Sequence, residues 1–196
     1  YKSYAELKDT VGIIQAGNNL GALYGNKSQI EKDSIMADQL VKKAVEFNTQ
    51  TFEYAKKIKD STNITNSLAN LGQNYLYLGN YKQALVNLNA ALEIERRQDR
   101  LYSAGITLLE IGEVQFHMKQ YAETIKSLNE ALKIGEQIHN PEIIKYALSN
   151  MSDAYAQTGA WNEAFLHHRR YSIMNDSLIN SENTRQVNEL QVQYET

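Results

Sequence analysis

Gly72 and Gly112 stand 40 residues apart, as do Ala91 and Ala131, and Tyr81, Tyr121 and Trp161 mark the same interval twice. A chain that repeats itself at this spacing folds as an array, because each unit leaves an apolar face open that only stacking on its neighbours closes. Contacts then run mainly between adjacent units, so 196 residues need form neither one large core nor two small ones.

The repeated unit reads as two helices. Leu68, Leu71, Gly72 and Tyr75 fall at i, i+3, i+4 and i+7, one face of a helix, and Gly79-Asn80 breaks it. A second amphipathic stretch from Tyr81 carries Ala84, Leu88, Ala91 and Leu92 and ends in the polar run Arg96-Arg97-Gln98-Asp99. The same register returns in Leu108, Ile111, Gly112, Tyr121, Thr124, Leu128 and Ala131. It returns again in Leu148, Met151, Ser152, Tyr155, Trp161 and Ala164. In this last unit Ser152 replaces glycine, His168 an apolar residue and Tyr171 alanine, as expected of an edge repeat or altered packing. With one proline in the chain and no cysteine, helix is expected throughout, without disulfides or thiolate metal sites.

An earlier unit is distorted. Leu20, Gly21 and Tyr24 match a first helix, and Phe52 with Ala55 match a second. Tyr24 to Ala55 is 31 positions where Tyr75 to Ala91 is 16, which points to 15 inserted residues around Gly25 to Met36. A surface loop or a longer second helix would hold them, and a loop that touches a partner is the alternative. The expected organisation is therefore the end of a preceding helix (1–10), a repeat with an insertion near 25–36 (11–60), three regular repeats (61–100, 101–140, 141–180) and an amphipathic segment (181–196).

Small residues where the helices cross and an aromatic just after the turn make this pattern resemble the tetratricopeptide repeat. That resemblance implies an all-α fold, a right-handed superhelical solenoid of helical hairpins closed by a capping or coiled-coil helix. The period exceeds the usual ~34 residues, so each helix is expected to gain nearly a turn. Long repeats of this kind are similar to those of bacterial peptide-responsive regulators and of motor light chains that bind cargo.

Chemistry is sparse. Gly21-Ala-Leu-Tyr-Gly25-Asn-Lys27-Ser28 approaches a phosphate-binding loop, but asparagine occupies the second glycine and the stretch follows a helix instead of a strand. Adjacent His167 and His168 point about 100° apart on a helix and cannot share a metal as a facing pair. Glu110 and Glu113 share a helix face, yet nothing in the sequence shows the burial that would tune them for acid–base work. No enzyme activity and no cofactor are expected. The net charge of -3 gives no general attraction to nucleic acid or anionic membrane, and no apolar run reaches the ~20 residues of a bilayer span.

The concave face, which in this repeat family is lined by the first helix of each pair, is the expected working surface. One register there holds Asn19, Asn70, Glu110 and Asn150. An amide offers a donor and an acceptor, so such a column can pair with successive peptide units of an extended ligand, as the resemblance implies. Gln73, Tyr77, Glu113, Phe116, Tyr146 and Asp153 complete the candidate site. The acids beside Phe116 and Tyr146 suit a cationic or amine-bearing peptide, and the absence of lysine and arginine argues against a carboxylate clamp.

Val187, Leu190 and Tyr194 fall at i, i+3 and i+7, a stripe that fits a capping helix or the first heptad of a coiled coil, and the latter would allow a homodimer. The segment from Ser181 to Thr196 resembles the one closing the repeat domain of bacterial membrane-anchored sensors. There a histidine kinase or helix-turn-helix output domain follows. The chain opens on Tyr1 with no secretory signal, so it is expected to be a piece of a longer protein. The resemblance implies the sensory half of a signalling protein, periplasmic if membrane-anchored and otherwise cytoplasmic. The competing reading is a free-standing scaffold or adaptor.

Overall fold

The computed structural model describes residues 10–30 and 34–176. The expectations for residues 1–9 and for the segment 181–196 lie outside the described residues. Within them the chain is all-helical: α1 Thr10–Ile30, α2 Ser34–Lys57, α3 Ser61–Tyr77, α4 Tyr81–Arg97, α5 Leu101–His117, α6 Tyr121–Gln137, α7 Pro141–Gln157, and α8 over residues 161–176.

The period has a simple mechanical origin. Helices α3 to α7 each run 17 residues. Every turn from the one before α3 to the one after α7 holds one left-handed residue: Lys59, Gly79, Asp99, Lys119, His139 and Gly159 recur at intervals of 20. The amide after each reaches back to the carbonyl five residues earlier, as in Asn80 N to Tyr75 O at 2.8 Å and Asn140 N to Gly135 O at 2.8 Å. This is the bond pattern that closes a helix on a left-handed cap and satisfies carbonyls left open by the last turn. Side chains cap three of the next helices: Asp60, Asn80 and Asn140 accept from Asn63 N, Gln83 N and Ile143 N. Arg100 and Gln120, at the starts of α5 and α6, make no such bond.

The recurring glycine marks the point of closest approach inside each hairpin. A Cβ added to Gly72 would lie 2.5 Å from Leu88 Cγ, and one added to Gly112 would lie 2.8 Å from Leu128 Cδ2. Leu88 and Leu128 are accordingly buried with Leu108, Ile143, Leu148 and Met151 in a core that runs along the array. In the last hairpin Ser152 fills the glycine's place and its Oγ donates to the Ala164 carbonyl at 3.0 Å, while His168 is exposed where leucine is buried in the two hairpins before it.

The first hairpin departs from expectation. Residues 25–30 continue α1 and residues from Ser34 onward form α2, which makes helices of 21 and 24 residues. The side chain facing Gly21 is Asn48, 27 positions on, whereas Leu88 faces Gly72 at 16. The insertion is therefore 11 residues, three helical turns, a length that keeps the buried face aligned. Thr51, not Ala55, takes the place of Ala91, and Ala44 that of Ala84; all are fully buried. Phe52 and Ala55 had suggested a register one turn later because the buried positions here carry asparagine and threonine.

Each helix packs on its neighbours in sequence, and the first helices of successive hairpins also touch: α1 with α3, α3 with α5, α5 with α7. Among α1 to α7 the second helices do not pack on one another. Exposed ion pairs bridge them, Arg96 to Glu130 at 2.5 Å and Arg170 of α8 to Glu136 at 2.9 Å. First helices crowded together and second helices splayed apart bend the array, with α1, α3, α5 and α7 on its inner side.

Candidate functional site

Two cavities open side by side on that inner side. One, of about 400 Å³, is lined by Gln73, Leu76, Tyr77, Gly79, Tyr81, Glu113 and His117. The next, of about 340 Å³, is lined by Gly112, Glu113, Phe116, His117, Thr124, Tyr146, Asn150 and Asp153. Glu113 and His117 belong to both, so the two lie side by side and together make a trough across α3, α5 and α7, with these two side chains where the cavities meet. Helical phase explains the lining: Glu113 and His117 lie one turn apart on α5, and Tyr146, Asn150 and Asp153 occupy successive turns of α7. Tyr77 and Tyr146 are exposed, and Phe116 packs edge-on against Tyr121 at 5.6 Å.

Of the residues singled out from sequence, the trough brings together Gln73, Tyr77, Glu113, Phe116, Tyr146, Asn150 and Asp153. Asn19 lies elsewhere, in a third cavity of about 380 Å³ with Val11, Ile14, Gln15, Asn18, Asn63 and Asn66. Asn18 donates to Asn63 at 2.6 Å and Asn63 to Asp60 at 2.7 Å, a polar chain tying α1 to α3. Asn70 is turned to internal use: its amide reaches buried Asn48 Oδ1 at 3.5 Å, across the junction of the first two hairpins. The asparagine register is thus divided between a cavity, a structural contact and the trough.

Glu110 lines none of these cavities. Its Oε1 accepts from Gln73 Nε2 at 2.5 Å, and its Oε2 is enclosed without a hydrogen-bond partner. Burial pushes its carboxyl up to about 8; Glu113 and Glu95 add to the rise and the bond from Gln73 opposes it. Glu95 on α4 is likewise raised by burial, against a hydrogen bond from Thr107 and the charge of Arg100.

Sequence reasoning passed over His117, although it stands 40 residues after Tyr77 in the same register, and that spacing was the available signal. Its ring stacks on Tyr81 at 5.9 Å. The linings of the three cavities contain neither lysine nor arginine, and Lys145 Nζ lies 4.8 Å from the centre of the Tyr146 ring. Among the described residues no group of three or more His, Asp or Glu is placed to hold a metal, and no helix is long and apolar enough to cross a membrane.

Known proteins match this geometry at the level of fold. Residues 103–172 match the tetratricopeptide repeat family. Tetratricopeptide repeat protein 29 of Trypanosoma brucei brucei is 24% identical over 181 residues, 92% of this chain and 37% of its own, so the chain spans little more than a third of that relative. The apo form of RapI superimposes with a TM-score of 0.73 at 16% identity, over 94% of this chain and 64% of RapI. A Rap protein complexed with competence and sporulation factor gives 0.64 at 15% identity, over 88% of this chain and 51% of that one. A Podospora anserina putative kinesin light chain gives 0.62 at 16% identity, over 91% and 92%. With the repeat model covering its C-terminal hairpins and these solenoids sharing its course, the chain is an all-helical array of tetratricopeptide-type hairpins.

Proposed function

We propose that the trough binds an extended peptide or protein segment, and that the chain is an interaction module. The observation that carries this reading is the adjacency of the two cavities, which share Glu113 and His117 and line up across three helices. Exposed Tyr77 and Tyr146 supply apolar contact, Gln73 and Asn150 supply amides for a ligand backbone, and Glu113 with Asp153 favour a positive charge. The Rap protein complexed with competence and sporulation factor, an array of similar course, supports occupation of such a solenoid by a regulatory ligand.

We further propose that the module is the sensory part of a bacterial signal-transduction protein, periplasmic where that protein is membrane-anchored. The Rap neighbours and the resemblance of the segment 181–196 are what favour this setting, and the stripe Val187, Leu190 and Tyr194 is what favours a homodimer formed through that segment. A free-standing scaffold uses the same groove without an output domain.

The test is a peptide selected from a random library against the purified chain, with affinity measured by calorimetry. Asn150→Ala with Asp153→Asn should weaken binding about tenfold or more while leaving the melting temperature nearly unchanged. Unchanged affinity in that variant refutes the assignment.

A further inference from the structure

Glu110 is a part-buried acid that hairpin packing does not require, since the same register holds the neutral Asn70 and Asn150 in the adjoining repeats. It lies one turn before Glu113 on α5, takes the Gln73 amide on one oxygen, and keeps the other enclosed and unpartnered. Gln73 and Glu113, which flank it, both line the trough. The charges that act on it are negative: Glu113 on its own helix, and Glu95 on α4, whose Oε2 is also enclosed without a partner. Arg100 acts on Glu95, and the other ionisable groups of the trough are Tyr77 on α3, Tyr81 on α4, His117 on α5, and Tyr146 and Asp153 on α7. An ionised Glu110 would leave a carboxylate oxygen enclosed with no counter-charge, a costly state until a cation is supplied.

We infer that Glu110 couples the groove to a proton: a guanidinium or amine seated beside Gln73 and Glu113 replaces the carboxyl proton of Glu110, which leaves to solvent. The inference rests on the proposed groove and adds the chemistry of its occupant. A guanidinium suits the place, because its forked N–H groups can pair with the Glu113 carboxylate at the groove wall, and its charge, one helical turn from Glu110, acts on that carboxyl through the wall. The sign follows from the protonation state of the free protein. Burial keeps the proton on Glu110 up to about pH 8. Below that, binding a cation costs the removal of a proton, and affinity falls as pH falls; above it the site is already ionised and the dependence ends.

N-acetylargininamide, whose single positive charge does not titrate over this range, is the probe. Carboxyl carbon NMR of the whole chain, with and without the probe at millimolar concentration, resolves each acid and separates Glu110 from His117. The probe should lower the titration midpoint of Glu110 by about one pH unit, the equivalent of tenfold tighter binding to the ionised form. In Glu110→Gln, which keeps an acceptor for Gln73, the rise of probe affinity between roughly pH 6.5 and 9 should vanish. If Glu113 and Asp153 respond to the probe while the Glu110 midpoint stays, the coupling is overturned and the groove stands. If none of the three responds, the cationic groove falls with it.

Discussion

At the residue scale, the position that sequence described least well is the one with the strongest physical signature. Glu110 looked like a surface acid because its neighbours in sequence are a helix face, whereas its enclosure comes from α3, one hairpin away. A carboxyl group whose native value lies near 8 instead of 4.5 holds a proton that the unfolded chain has released between those two values. Stability therefore falls as pH rises from about 4.5 to about 8 and carries the full penalty above that. Glu110→Gln should raise stability at pH 8 by on the order of a few kcal/mol and have little effect near pH 4, measured by urea denaturation. A variant no more stable than wild type at pH 8 would show that the carboxyl is solvated. Asn70, a candidate ligand contact by its register, also places its amide 3.5 Å from Asn48 Oδ1, so Asn70→Ala is expected to loosen the first junction. The glycine column was legible because a missing Cβ has one explanation here. Gly112→Ala should cost about 1–3 kcal/mol by forcing Leu128 aside, against the ~1 kcal/mol that alanine otherwise gains in a helix, in the same denaturation assay.

At the scale of the element, the chain spells out its helices by phase and its turns by position. Gly79, the polar run ending at Asp99 and Asn140-Pro141 announced three breaks, while Lys119 stayed silent because a residue with a Cβ rarely adopts the left-handed conformation it holds. Lys119 at φ 61 is strained at a turn whose geometry the neighbouring repeats fix. Lys119→Gly is expected to stabilise the protein by about 1 kcal/mol, and Gln120→Asp, which adds the missing cap to α6, by about 0.5–1 kcal/mol. Thermal melts of the two variants check both, and a loss in either would contradict the turn geometry. The register of α2 was misjudged for a related reason. Pattern matching seeks apolar residues, and the buried Asn48 and Thr51 broke the pattern; Thr51 conceals its hydroxyl by bonding the Phe47 carbonyl at 2.8 Å.

At the scale of the whole molecule, the 40-residue period is two identical steps, a helix of 17 residues and a turn of three, taken with first helices crowded and second helices spread. The period made the architecture readable before any contact was known, because stacking constrains every unit alike. The groove was only partly readable. Its lining follows from helical phase, but the junction at His117 and the diversion of Asn70 depend on how hairpins meet. The most direct measurement of the central claim is NMR mapping of a library-selected peptide on the full chain. The account predicts perturbations concentrated on Gln73, Glu113, Tyr146, Asn150 and Asp153. Perturbations gathered instead on Val86, Lys126 and Leu166, exposed on the second helices, would contradict it.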